Sequence, residues 1–212
     1  MLISQNTIYC KMKNFYVINI ALCFFCSCNL KQSKLNQNEQ YSVILNNRSL
    51  NIYTRNLFDK DSLNRALILL DSAISLNKDI NFYYSKYAVL RRLGEYKMAI
   101  GVCDSIFNLN SDEFRAVLYK GFLYEDLNLK DSENVYYRKA LGLVNNTKLF
   151  KFDSVIKERE RLIILGLLKD TTAYRTEFEK FKIKYSHVNN YMIQLYVDEL
   201  QNFDRKRYLS DY

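Results

Sequence analysis

Residues 92–100 read Arg-Leu-Gly-Glu-Tyr-Lys-Met-Ala-Ile, and this is the stretch that most clearly indicates the fold. Its alanine, Ala99, is followed by Cys103 and Ile106, a spacing that places all three residues on one face of a helix. A face of small and apolar side chains lets two helix backbones approach each other closely. The stretch therefore predicts a helix that packs tightly against a neighbouring helix.

The same spacing occurs twice more, so the chain contains an internal repeat. The other copies lie in residues 61–77 and 131–143, and periods of 33 and 34 residues connect the three. The recurring residues are Ala66, Leu70 and Ala73 in the first copy, and Tyr137 and Ala140 in the last. One helix pair cannot bury both of its faces, so we expect at least three stacked pairs.

These copies resemble the tetratricopeptide repeat, a pair of antiparallel helices joined by a tight turn. The resemblance covers residues 47–147, about half of the chain. The matching positions are Leu50, Leu57, Ala66, Leu70 and Ala73 in the first copy, Tyr84, Ala88, Gly94, Tyr96 and Ala99 in the second, and Gly121, Tyr124, Tyr137 and Ala140 in the third. The closing proline of the family pattern is absent, and Lys78, Ser111 and Asn145 take its place. The resemblance implies a short α-solenoid of stacked helix hairpins.

Composition also favours an all-α fold. Of 212 residues none is proline and five are glycine, too few for the turns of sandwiches, barrels or glycine-rich nucleotide loops. We expect three repeats in residues 42–147, then a degenerate fourth helix pair and a capping helix in residues 148–212, with the capping helix over 188–207. About nine helices and no strand are predicted over 47–207. Asp170 is expected to begin a helix by accepting hydrogen bonds from free backbone N–H groups.

Residues 1–27 resemble the signal peptide of a bacterial lipoprotein. Lys13 precedes an apolar run of about thirteen residues, whereas a membrane-spanning helix needs about 20. The run ends at Ser27-Cys28, and the resemblance implies cleavage before the cysteine and lipidation of Cys28. Phe25 stands where such signals usually carry leucine, and Met12 is a second candidate start.

Residues 28–41 follow this cysteine and are polar, with few large apolar side chains. This composition is typical of a flexible tether. We therefore expect a folded domain that is held at a membrane by its lipid alone, in the bacterial cell envelope, on the periplasmic or the surface side.

The sequence offers no constellation for catalysis or metal binding. His187 is the only histidine, and no glycine-rich phosphate loop or nucleophile elbow occurs. Cys23, Cys26 and Cys28 have a metal-like spacing, but they lie in an apolar run without a fourth ligand. The net charge of +8 is scattered along the chain, which argues against nucleic-acid binding. We predict a protein that is not an enzyme and binds no cofactor, metal or nucleic acid.

The resemblance also implies a binding surface, because in such arrays the first helix of each hairpin lines a concave groove. The positions that project into the groove correspond to Arg48, Asn51, Arg55, Phe58, Phe82, Ser85, Val89, Arg92, Arg115, Leu118, Phe122 and Glu125. Cations beside apolar side chains suit an extended peptide or its terminal carboxylate. Two alternatives stay open: a solvated groove without a ligand, and binding by the convex face or by the C-terminal helix near Tyr191 and Tyr196.

Two hypotheses of function follow from these features. The first is a lipid-anchored scaffold that binds another protein or peptide of the cell envelope through the groove. The second is an immunity or inhibitor protein that neutralises one toxin or enzyme. The sequence names neither the partner nor the oligomeric state.

Overall fold

The computed structural model describes residues 37–146 and 154–211. These ranges contain helices and no strand, which confirms the all-α prediction. Within them the helices are α1 (Gln37–Arg55), α2 (Lys60–Leu76), α3 (Ile80–Leu93), α4 (Tyr96–Leu109), α5 (Phe114–Asp126), α6 (Lys130–Asn146), α7 (Ser154–Leu167), α8 (Thr171–Tyr185), α9 (Tyr191–Gln201) and α10 (Arg205–Asp211).

Consecutive helices pair into hairpins, and three of the hairpin turns use a left-handed residue. Gly94 between α3 and α4 has φ 79°, and the resemblance predicted a glycine turn there. Asn128 adopts the same left-handed conformation between α5 and α6, with φ 58°, and Lys169 adopts it between α7 and α8, with φ 60°. Because asparagine and especially lysine are poor markers of this conformation, the sequence pattern found only the first of these three turns.

Aspartates start several of the helices. The carboxylates of Asp59 and Asp79 accept hydrogen bonds from the backbone N–H of Asp61 and Asn81 at the beginnings of α2 and α3. Asp170 accepts from Ala173 N–H at 3.0 Å, which confirms the helix start predicted at this position.

Small residues lie where the helices cross, as the repeat pattern predicted. Ala66, Ala73, Ala99 and Ala140 are fully buried. A Cβ atom at Gly121 of α5 would lie 2.5 Å from Cδ1 of Tyr137 in α6, so the glycine is required for this close contact. The predicted aromatic at Tyr124 stacks on Tyr136, with ring centroids 4.9 Å apart.

Successive hairpins stack mainly by packing the second helix of one against the first helix of the next, α2 on α3, α4 on α5 and α6 on α7. Side chains of the first helices add further contacts. Leu45 of α1 clusters with Phe82 of α3, and Ile52 packs against the cluster that holds Val89, so both pairs lie 37 positions apart in the sequence. The next contact is formed by Tyr87 of α3, which stacks on a tyrosine of α5 at 4.7 Å. The largest apolar cluster then joins α5 and α6 to the helices from α7 to α10.

The element boundaries differ from the prediction at two places. Helix α1 begins at Gln37, so the last five residues of the predicted tether are helical. The predicted capping helix over 188–207 is two helices. The side-chain amide of Asn202 donates to the Asp198 carbonyl at the end of α9. The carboxylate of Asp204 then accepts a hydrogen bond from Arg207 N–H at 2.8 Å at the start of α10. The predicted signal peptide, Cys28 and the first part of the tether lie outside the described residues.

Candidate partner-binding face

The first helices of the four hairpins, α1, α3, α5 and α7, together form a surface that we call the first-helix face. All of the groove residues predicted from the repeat pattern belong to these helices or to the turn after α1. The face has two parts with different properties. The part formed by α1 and the end of α3 carries exposed cations, and the part formed by α5 and α7 is covered by α9 and α10.

Exposed residues of α1, of the turn after it and of the end of α3 form the first part, which we call the cationic patch: Arg48, Asn51, Arg55, Phe58 and Arg92. Arg55 and Arg92 are 37 positions apart, the offset of the packed residues on these helices, so they lie at the same height of neighbouring helices. The Cζ atom of Arg92 lies 5.9 Å from the ring centroid of Phe58, whose side chain is 89% exposed. No described carboxylate pairs with Arg48, Arg55 or Arg92.

Five of the predicted groove residues are buried in the folded chain, so the expectation that they contact a partner needs correction. Phe82 and Val89 fill the space between α1, α2 and α3. The hydroxyl of Ser85 donates to the Asn81 carbonyl of its own helix at 3.1 Å. Leu118 and Phe122 belong to the large cluster that includes the C-terminal helices. The preceding hairpin buries the side chains of α3 and the C-terminal helices help to bury those of α5, and no property of the single helix reveals either contact.

Arg115 is also engaged within the chain. Its guanidinium lies 5.2 Å from the ring centroid of Phe114, and one nitrogen lies 4.0 Å from Oε1 of Glu160 on α7. The cationic character expected along the whole groove is therefore concentrated at α1 and at the end of α3.

The last predicted groove residue, Glu125, binds the C-terminal segment. Arg205 of α10 forms ion pairs with Glu125 and with Glu133 of α6, the latter at 3.3 Å. Its Nε donates to the Leu167 carbonyl at the end of α7 at 3.0 Å. One arginine thus joins α10 to three helices of the hairpin array.

Tyr137 completes this cluster of charges. Its hydroxyl donates to Oε2 of Glu125 at 2.7 Å. Burial, and then the hydrogen bond to Glu125, raises the pKa of Tyr137 well above its ordinary value, so the hydroxyl stays protonated as a donor.

Two further contacts hold α10 on the first-helix face. The ring of Tyr208 lies edge to face with that of Phe122, with centroids 6.2 Å apart. Arg91 of α3 donates to the Leu209 carbonyl at 3.2 Å while it binds the carboxylate of Asp126. Helix α10 therefore touches, in order along its length, the hairpins that contain α7, α5 and α3.

Helix α9 covers α7 in a similar way. Arg159 donates to both carboxylate oxygens of Glu199, at 2.7 and 2.5 Å, and to Glu160 at 3.0 Å. Burial lowers the pKa of Arg159, but Glu160 and Glu199 raise it by more, so the arginine remains charged. Tyr196 lies beneath this guanidinium at 5.1 Å, whereas Tyr191 is 75% exposed. The two tyrosines proposed as an alternative docking site are thus in different environments.

The sequence did not reveal the role of Arg205 or of Glu133. Arg205 and Glu125 are 80 positions apart, and nothing in a single sequence connects two charges at that distance. The only local signal was the run of cations at Arg205-Lys-Arg207, which is also typical of a solvated helix end.

Chemically reactive groups are scarce in the described ranges. No group of three His, Cys, Asp or Glu residues there could hold a metal ion. Cys103 is buried, and burial raises the pKa of its thiol to about 12, as expected for a small core residue. His187 is exposed. Among the described helices, none has both the length and the apolar character needed to cross a membrane.

Comparison with known proteins gave structural likenesses only. No family model matches the chain, and no curated protein matches it. One similar solved structure is described as "Arabidopsis OM64 TPR domain", with 21% identity, a TM-score of 0.45, and coverage of 58% of this chain and 96% of the other. Another, "MamA RS-1 ArsTM double mutant", has 18% identity, a TM-score of 0.44 and 80% coverage of each chain. Contacts between consecutive helices of the described chain define the stacked helix hairpins.

Proposed function

We propose that this protein is a lipid-anchored interaction scaffold of the bacterial cell envelope, which binds a partner protein or peptide at the cationic patch. The observation that carries the proposal is the cationic patch itself: three arginines have no described carboxylate partner, and one of them, Arg92, lies over the ring of Phe58, which is 89% exposed. Arginine and aromatic side chains supply a large share of the binding energy in many interfaces.

The chemistry of the patch indicates the kind of partner. Guanidinium groups at the same height of two helices, Arg55 and Arg92, suit a carboxylate, either a side chain or a chain terminus. Phe58 beside them favours an apolar group next to that carboxylate. We expect the partner to present an acidic segment with one large apolar residue, and we expect salt to weaken the complex.

Charge reversal tests this surface. The double variant Arg55→Glu and Arg92→Glu should lose capture of the partner in a crosslinking pull-down from membranes with the tagged chain. Its helical signal and melting temperature should stay nearly unchanged, because exposed cations without ion pairs contribute little to folding. The matched control is Lys97→Glu with Arg138→Glu, which makes the same change in net charge at exposed positions of α4 and α6. Full capture by the Arg55 and Arg92 variant would refute the patch, and equal loss in both pairs would indicate a response to net charge alone.

The anchor is tested separately at Cys28. The motive is the apolar run of residues 15–27, which ends at this cysteine and is followed by a polar segment. Cells that express the Cys28→Ala variant should lose labelling of the protein by a palmitate analogue, and the protein should leave the membrane fraction. Replacement of Cys26 by alanine is the control, because this neighbouring cysteine should not carry lipid. Unchanged labelling of the Cys28→Ala variant would remove the lipoprotein proposal and leave the patch untouched.

A further inference from the structure

Most of the hydrogen bonds between α10 and the array come from one side chain. Arg205 donates to the carboxylates of Glu125 and Glu133 and to the Leu167 carbonyl, four hydrogen bonds from one guanidinium. A planar fork of this kind binds paired carboxylates with high geometric specificity. Loss of Arg205 would therefore remove most of the polar attachment of α10.

The site that receives Arg205 requires a cation. Glu125 and Glu133, together with the hydroxyl of Tyr137, form what we call the acidic site, and Glu133 is only 6% exposed. Two carboxylates held around the same guanidinium repel each other when the guanidinium is withdrawn. The acidic site without a cation is thus unfavourable. When Arg205 leaves, binding of another cationic group with the shape of a guanidinium is favoured there.

Beyond Arg205, α10 is held by the ring of Tyr208 and by the hydrogen bond from Arg91 to the Leu209 carbonyl. The helix has seven residues, too few for stable helix formation without tertiary contacts. Among its residues with a described side chain, only Tyr208 is buried, and that one is 9% exposed. Segments with few buried apolar contacts open locally at a lower free energy than the core. The remaining C-terminal helix, α9, has its own attachments through Arg159 and Glu199, so α10 can leave without it.

We propose that α10 is a displaceable occupant of the acidic site, and that a basic segment of a partner protein takes its place. The segment would carry an arginine and, three residues later, an aromatic side chain, as Arg205 and Tyr208 do. Arg205 pairs with Glu125 and Glu133, whereas Lys206 and Arg207 beside it are exposed, so the charge complementarity that such a partner would reproduce is that of one arginine with two carboxylates. The site is distinct from the cationic patch and binds a segment of opposite charge, so the inference does not rest on the function proposed above.

The test uses the full chain and a labelled synthetic peptide with the sequence of residues 202–212. In the wild-type chain α10 competes with the peptide for the acidic site. The apparent affinity for the peptide is therefore the intrinsic affinity multiplied by the fraction of molecules in which α10 has left the site, the open form. If at most about a tenth of wild-type molecules are open, the Arg205→Gln chain should bind the peptide at least about tenfold more tightly than the wild-type chain does. The control chain, Lys206→Gln, removes an adjacent exposed cation and should bind like the wild type.

The peptide itself supplies the second comparison. A peptide carrying Arg205→Gln should lose binding to the Arg205→Gln chain, and the Arg55→Glu and Arg92→Glu substitutions in the protein should leave binding unchanged. Equal affinity of the wild-type and Arg205→Gln chains, or binding that does not need the arginine of the peptide, would overturn the proposal. A concentration-dependent wild-type dimer that keeps α10 protected would also overturn it, because a second copy would then supply the segment.

Hydrogen exchange of the wild-type chain decides the question even if the Arg205→Gln chain does not fold. The amides of α10 should exchange at least about tenfold faster than those of α5 and α9, since they open without global unfolding. Added peptide should increase their exchange further while protecting α5. Exchange of α10 at the same rate as α5, unaffected by the peptide, would identify α10 as a permanent cap and refute its displacement.

Discussion

Replacement of Gly121 by alanine should destabilise the chain, although alanine is the better helix former. The added Cβ would lie 2.5 Å from Cδ1 of Tyr137, a distance at which one of the two side chains must move. Tyr137 cannot move freely, because its ring is fully buried and its hydroxyl is bound to Glu125 at 2.7 Å. Overpacking of this kind costs about 1–3 kcal/mol of the free energy of unfolding.

Gly142 of α6 supplies the matched control. No atom outside its own helix lies within 4 Å of a Cβ at this position, so Gly142→Ala adds only the helix preference of alanine, about 1 kcal/mol in favour of the fold. The same preference acts at Gly121, and the difference between the two variants therefore isolates the overlap with Tyr137. We expect Gly142→Ala to be more stable than Gly121→Ala by about 1–3 kcal/mol.

Urea unfolding followed by circular dichroism measures both variants, with equal slopes showing that the unfolded states are comparable. A double-mutant cycle completes the test: in a Tyr137→Leu background the ring is absent, and Gly121→Ala should no longer destabilise. Equal stability of Gly121→Ala and Gly142→Ala, or an unchanged cost without the tyrosine ring, would refute the close contact as the reason for glycine in the third hairpin.

Two further predictions concern stability. Ala99→Trp should be among the most harmful single substitutions, at about 1–3 kcal/mol or more, because Ala99 is fully buried at a helix crossing, and a near-wild-type urea midpoint would contradict this. The hydrogen bonds from Arg161 and Lys180 hold the pKa of Glu177 below its ordinary value of 4.5, so this pairing stabilises the fold above that pH and is lost as pH falls through the folded-state pKa. The Arg161→Gln variant should therefore lose less stability than the wild type between pH 5 and pH 3, and the difference should be a few tenths of a kcal/mol because the pair is partly exposed. Parallel curves of unfolding free energy against pH for the two proteins would contradict this.

Local patterns were sufficient for much of the fold. The spacing of Ala99, Cys103 and Ile106 predicted their burial, because residues on one face of a regular helix share one environment. The turn at Gly94 and the helix start at Asp170 were equally local, since each depends on the backbone conformation or the hydrogen bonds of a few consecutive residues. The same local rules missed the break between α9 and α10, because the polar residues at 202–204 are also compatible with a continuous exposed helix end.

The sequence by itself determined that the described chain is an array of helix hairpins, and it identified the cations at Arg48, Arg55 and Arg92 that stay exposed. Only the tertiary structure decided that Phe82, Val89, Leu118 and Phe122 are buried, and that Arg205 reaches Glu125 across 80 positions. The physical reason is the range of the interactions. Helix periodicity and capping act within a few residues, whereas burial between neighbouring helices and the pairing of distant charges depend on how the hairpins stack and on where the C-terminal helix returns.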